Sequence, residues 1–230
     1  LGVNSAQTFA SLDLDQPFDE IRKSISGTSK ADTIGGAAPI IEDIGGFEVD
    51  LGYWQAGDMK IYDNNMDASS YSTSANDMLW ANIIASPDIA DRTGTWYYYD
   101  TYEFLGTGTG GDLTGFSMYF SVDFDASVNQ ISSGTLGLDV AYYESWEATF
   151  TGGSINGALA EFNGINGDVA YSGSPICSAC ITGDLRGVFT GTLDAATNDG
   201  GGFVAGFSLN NGLGNSVMGL GLLDGTNLQD

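Results

Sequence analysis

The sequence predicts an all-β protein: an antiparallel β-barrel or barrel-like sandwich with tight hairpins, preceded by an N-terminal arm. Three observations lead there. Beyond residue 46, apolar residues recur with a period of two. Asn-Gly and Asp-Gly pairs, the signals of tight hairpins, separate those runs. Glycine supplies 34 of 230 residues without a collagen-like period of three, and in places it takes every second position of a strand.

Residues 1–45 form the expected arm. Within it, "QPFDEIRKSI" spaces Phe18, Ile21 and Ile25 by three and four, which suits one short helix opened by proline. Residues 46–230 form the expected barrel domain. It opens with "GFEVDLGYW", where Phe47, Val49, Leu51 and Tyr53 alternate with Glu48, Asp50, Gly52 and Trp54. Further strands are expected at 58–62, 78–84, 94–104, 114–124, 134–143, 145–151, 154–162, 167–172, 183–193, 202–209 and 216–223. The clearest is "TGFSMYFSVDF", with Phe116, Met118, Phe120, Val122 and Phe124 on one face. Turns are expected at Asn156-Gly157, Asn163-Gly164, Asn166-Gly167, Asp199-Gly200, Asn211-Gly212 and Asp224-Gly225. Pro87 and Pro175 fall in expected loops, where they break no ladder.

In 183–193, Leu185, Gly187, Phe189, Gly191 and Leu193 share a face, as do Phe203, Ala205, Phe207 and Leu209 in 202–209. Large and small residues alternating inward suit a narrow barrel, because a ring can pack over bare backbone. Closure also removes exposed sheet edges.

The stretches "RTGTWYYYD", "VDF" (Val122–Phe124), "GSINGALAEF", "GVFTG" (Gly187–Gly191) and "AGFSL" (Ala205–Leu209) together resemble the β-barrel of transferrin-binding protein B and its relatives. The likeness runs over roughly residues 90–223. It implies an extracellular, non-enzymatic bacterial surface barrel.

Charge narrows the partners. Thirty acidic residues stand against six basic ones with no His, a formal net charge of −24. From residue 61 onward only Arg92 and Arg186 are basic. Such a surface repels phosphate, so nucleic acid is not an expected partner. No apolar run is long enough for a membrane-spanning helix.

Without His, the Ser-His-Asp and Cys-His routes and the usual zinc sites are absent. Two carboxylate pairs, Asp123 with Asp125 and Glu144 with Glu147, show no pairing of the glycosidase kind, and no enzyme is expected. Asp63, Asn65 and Asp67 alternate as calcium ligands do, although the Gly and the bidentate Glu of an EF-hand are missing; the competing reading is a polar loop. Otherwise no cofactor is expected. Cys177 and Cys180 are read as a small disulfide stapling a loop, which points to an oxidising, extracellular or cell-surface location. Trp96, Tyr97, Tyr98, Tyr99 and Tyr102 form a candidate ligand platform, against the reading that alternate rings are core.

The expected function is a secreted or cell-surface structural subunit that self-associates, with the arm lending a strand to the next copy. The alternative is a monomeric binding barrel for a host protein, an iron carrier or a glycan. Polysaccharide hydrolysis stands third.

Overall fold

The computed structural model describes residues 78–227 apart from 84, 128–129, 142, 193 and 195–198, together with seven strand segments between residues 12 and 72. The chain divides into two compact units. One comprises Leu1–Asp43 with Glu48–Ala85, and the other Ile44–Phe47 with Ser86–Asp230. Strands already occur from Leu12, ahead of the Phe47 at which the sequence pattern places their start; most of 47–85 groups with the N-terminal residues, and the long stretch of the second unit starts at Ser86.

Residues 12–82 carry eight strands: β1 (Leu12–Gln16), β2 (Glu20–Ser24), β3 (Thr28–Asp32), β4 (Ile40–Ile44), β5 (Phe47–Trp54), β6 (Asp58–Tyr62), β7 (Ala68–Ser72) and β8 (Met78–Asn82). Five form a sheet in the order β1-β2-β3-β6-β7, and three form another in the order β4-β5-β8. Period-two alternation buries Val49 and Leu51 on β5 and Leu79 and Ala81 on β8. In the stretch expected as a short helix, Glu20–Ser24 is strand β2, and residues 17–19 and 25 lie outside the described residues.

The second unit opens with a single 3₁₀ turn at Ile89–Asp91 and continues as eleven strands. These are β9 (Thr95–Gly108), β10 (Gly111–Asp123), β11 (Gly134–Val140), β12 (Glu144–Phe150), β13 (Gly152–Asn156), β14 (Leu159–Asn163), β15 (Asn166–Tyr171), β16 (Ser174–Cys177), β17 (Thr182–Thr190), β18 (Gly202–Asn210) and β19 (Ser216–Thr226). All pair antiparallel in one curled sheet.

Register shows how the sheet curls. β12 pairs β15 from Glu144–Tyr171 to Thr149–Asn166, and β13 pairs β14 from Gly152–Asn163 to Asn156–Leu159 in the same register. The two short pairs are therefore one long hairpin. Its second arm pairs with β16 and β17, β17 pairs β18, β18 pairs β19, and β19 pairs β9. β9 pairs β10, β10 pairs β11, and Ile131 bridges both Val122 and Gly153. The antiparallel pairing thus runs from each strand to its sequence neighbour and returns from β19 to β9, the up-and-down arrangement of a barrel.

Aromatic rings pack the interior. Phe120 lies 5.1 Å from Tyr98, 5.1 Å from Phe162 and 5.0 Å from Phe203, and Phe189 lies 4.9 Å from Phe203. Glycines make room for them. A methyl carbon at Gly187 would strike the Phe203 ring, one at Gly219 the Phe207 ring, and one at Gly221 the Phe116 ring. This is the large-against-small alternation expected from 183–193 and 202–209.

Several local expectations are corrected. The run 154–162 is two strands, because Asn156-Gly157 turns the chain between them, with Gly157 at φ +59°. Asn166-Gly167 and Asp224-Gly225 are not turns but parts of β15 and β19. Their glycines serve close approach instead: Gly167 abuts the Glu147–Ala148 backbone, and Gly225 faces the Tyr98 ring. Pro175 lies in β16, a short strand paired only with β15, where a missing N–H is tolerated.

Candidate functional site

The aromatic run on β9 divides by parity. Trp96 and Tyr98 are buried in the core. Tyr97 and Tyr99 face outward and are half-buried. Tyr119 of β10, directly opposite Tyr99 in register, joins them. Its ring lies 5.0 Å from Tyr99 and 6.4 Å from Tyr97, the latter pair within 8° of parallel. Burial, with Tyr99 and Tyr97 beside it, holds the Tyr119 hydroxyl above its ordinary value. The outer wall therefore carries a ladder of three tyrosines, two of them from the expected platform. Tyr119 was missed because it alternates with the core residues of its own strand, and nothing local marks it as the partner of another strand's rings.

Tyr102, the fifth platform residue, stands apart. It is 82 % exposed at φ 68°, in a stretch where β9 slips register against both neighbours. The Asp100 carboxylate accepts the Met118 N–H at 3.3 Å, and the Thr101 hydroxyl donates to the Leu222 carbonyl at 3.3 Å. These side chains patch the ladder that the bulge interrupts.

At one end of the barrel, a pocket of about 510 Å³ is lined by Thr114, Asp139, Tyr143, Glu144, Ser172 and Gly173, among others. The turns between β11 and β12 and between β15 and β16 build its rim, tied by the Ser172 N–H donating to the Tyr143 carbonyl at 2.8 Å. Tyr143 is 79 % exposed at φ 74°. Glu144 is buried, 5 % exposed, and accepts Trp146 Nε1–H at 2.6 Å and Asn215 Nδ2–H at 3.3 Å.

The carboxylate pairs do not converge on a reaction. Asp123 accepts the Asp125 N–H at 3.0 Å, and Asp125 accepts the Gly94 N–H at 3.0 Å, so both brace a turn. Glu144 is buried and Glu147 is exposed on the opposite face of β12.

The opposite end of the barrel is closed by Arg92, 4 % exposed. Its guanidinium donates to Asp88 at 3.0 Å, Ser86 Oγ at 2.8 Å, Tyr98 Oη at 3.1 Å and the carbonyls of Gly200 at 2.7 Å and Gly191 at 3.3 Å. It also lies over the Phe124 ring, 5.7 Å from its centroid. Burial pushes the Tyr98 hydroxyl far above its ordinary value, against the opposing pull of Arg92.

Cys177 and Cys180 are joined in a disulfide, Cα–Cα 5.9 Å. The Asp168 carboxylate accepts the Ala179 N–H and the Ser178 hydroxyl, each at 2.8 Å, and these bonds hold it below its ordinary value. Asp63, Asn65 and Asp67 lie outside the described residues. Among the described residues, no three His, Cys, Asp or Glu side chains are grouped so as to hold a metal ion. No described helix is long and apolar enough to cross a membrane.

Compared with known proteins, the chain matches no family model, and no curated protein is similar to it at a significant level.

Proposed function

We propose that this chain is a non-enzymatic, extracellular or cell-surface binding barrel that takes a neutral glycan on its outer wall. The observation that carries the reading is the Tyr97–Tyr119–Tyr99 ladder, three outward rings presented across two paired strands. Flat, half-exposed rings offer apolar faces to the C–H face of a sugar while their hydroxyls stay in water. The interior side of the same strands is occupied by Trp96, Tyr98 and Phe120, so recognition falls to the outer side. The carboxylates braced in turns or divided between faces support binding rather than hydrolysis. The disulfide supports an oxidising compartment, and the likeness to transferrin-binding protein B relatives points the same way.

The test is a neutral-glycan array followed by calorimetry on wild type and on the Tyr97→Ala, Tyr99→Ala and Tyr119→Ala variants. Binding that weakens roughly tenfold or more for each variant is expected, as for lost ring stacking of about 1.5 kcal/mol. Binding unaffected by all three substitutions would remove the ladder from the site.

Self-association is a second reading, favoured by β1, which stands at an edge of its sheet and can accept a strand from another copy. Light scattering across a concentration series, on the whole chain and on a form lacking residues 1–16, tests it. A wild type that stays monomeric throughout would exclude it.

A further inference from the structure

We propose that the Tyr143 end of the barrel docks onto a zwitterionic, choline-bearing lipid surface. The tyrosine ladder plays no part in this argument. Four turns make this end, at residues 109–110, 141–143, 172–173 and 211–215. None of them contains a charged residue, in a chain with thirty acidic and six basic ones. The turns at the Arg92 end carry Asp125, Asp194 and Asp199 instead. Large apolar side chains collect where charge is missing. Of the five that are exposed among the described residues, four stand here: Leu213 at 65 %, Tyr143, Tyr171 at 50 % and Ile176. Exposed apolar groups gathered in one place mark an interaction site, whereas scattered ones do not.

The fold holds these side chains out. Asn211 is 2 % exposed, and its Oδ1 accepts the Leu213 and Asn215 N–H groups at 2.9 and 3.1 Å. Gly212 at φ +67° and Gly214 at φ +104° flank the leucine, so a braced turn presents it. Tyr143 takes a left-handed φ of 74°, which a bulky residue rarely adopts, and its carbonyl accepts the Ser172 N–H at 2.8 Å. The Asn215 amide donates to Glu144, and the Thr109 N–H to the Ser216 carbonyl at 2.8 Å, which laces the turns into one rim. Chemistry and charge then choose the occupant. Leucine and isoleucine suit the acyl boundary of a bilayer, and tyrosine rings the headgroup level. Behind the tips, Asp112, Asp139 and Asp184 are exposed near the ends of β10, β11 and β17. Carboxylates and ring faces both attract the quaternary ammonium of choline. The same carboxylates, in a chain of net charge −24, repel anionic lipid. A second copy of the chain would set like charges against each other here, which disfavours it as the occupant.

Flotation of the whole chain with phosphatidylcholine vesicles tests this. Wild type is expected to float with them, and severalfold less well when a third of the lipid is phosphatidylglycerol. Leu213→Ser is expected to weaken partitioning about tenfold, as for one apolar side chain kept from the bilayer. Tyr143→Asn, which puts in a residue that tolerates the left-handed backbone, is expected to weaken it severalfold. Tyr102→Asn is the control, a comparably exposed tyrosine at φ 68° in the middle of β9, and is expected to leave partitioning unchanged. No flotation with phosphatidylcholine would overturn the proposal, as would undiminished flotation of both Leu213→Ser and Tyr143→Asn, or stronger flotation with phosphatidylglycerol. Dimers that form without vesicles and vanish in Leu213→Ser would assign this end to a contact between copies instead.

Discussion

The ring of Phe116 occupies the space in which a side chain at Gly221 would stand. The two lie on β10 and β19, strands separated by β9 in the sheet, and their fit is one of several between a core ring and a bare glycine. Gly221→Ala is therefore expected to destabilise the barrel by about 1–3 kcal/mol, the usual result of overpacking a filled core. Gly206→Ala is the contrast. Its nearest neighbour would be Leu220 Cδ2 at 3.5 Å, an ordinary contact, so stability is expected to hold or rise slightly. Urea midpoints of the two variants check both halves.

Arg92→Met is expected to cost about 3 kcal/mol or more, because it leaves Asp88, Tyr98 and the Gly200 and Gly191 carbonyls without their shared donor. Arg92→Lys is expected to recover little. One ammonium cannot reach five acceptors spread around a planar fork. Thermal unfolding of the three proteins at equal concentration measures this.

Asp224 has its carboxyl held above the ordinary value of 3.8, first by partial burial and then by the charge of Asp199. A raised value in the folded state means the folded protein takes up that proton more readily than the unfolded chain. The resulting stabilisation is complete below 3.8 and is lost as pH rises through the folded value. Asp224→Asn keeps an oxygen for the Gly225 N–H, 3.0 Å away in the native protein. It is expected to be more stable than wild type at pH 7, with the advantage shrinking toward pH 4. Urea titrations at several pH values give the slope, and equal slopes for the two proteins would reject the assignment.

Replacing Cys177 and Cys180 by Ser is expected to cost no more than about 2 kcal/mol, since the ring they close is only four residues long. Asp168 holds the same loop from below. Its lowered carboxyl contributes stability above the ordinary value of 3.8, lost as pH falls through the folded value. Adding Asp168→Asn to the double Ser variant is expected to destabilise more than the separate effects combined, which a double-mutant cycle detects.

The barrel was legible in the sequence where one period ruled the strand. On β10, Phe116, Met118, Phe120 and Val122 face inward as the alternation requires. Gly187 in 183–193 makes room for the Phe203 ring as the alternation requires, whereas Gly183 meets backbone and Gly206 only an ordinary contact with Leu220. Asn-Gly and Asp-Gly were less dependable guides, since glycine at 167 and 225 answers a demand for space rather than for a turn. Two of the three ladder tyrosines were visible, because parity on β9 separates Tyr97 and Tyr99 from Trp96 and Tyr98 but cannot say which rings turn outward. Arg92, Tyr119 and the Glu144–Trp146–Asn215 group were not seen. Each depends on partners brought from distant strands, as Arg92 on Gly200 and Glu144 on Asn215.

The junction of the barrel that joins the residues farthest apart along the chain is β9 with β19. The other pairings are shorter in range, the longest of them β14 with β17, which joins Leu159 to Val188, whereas the β9–β19 contact must bring together residues such as Tyr97 and Thr226. That seam carries the largest single loop-closure cost of the barrel, about 4 kcal/mol for a loop of that length. The order of assembly follows: a row of hairpins first, and the last stave of the barrel fastened to the first only at the end.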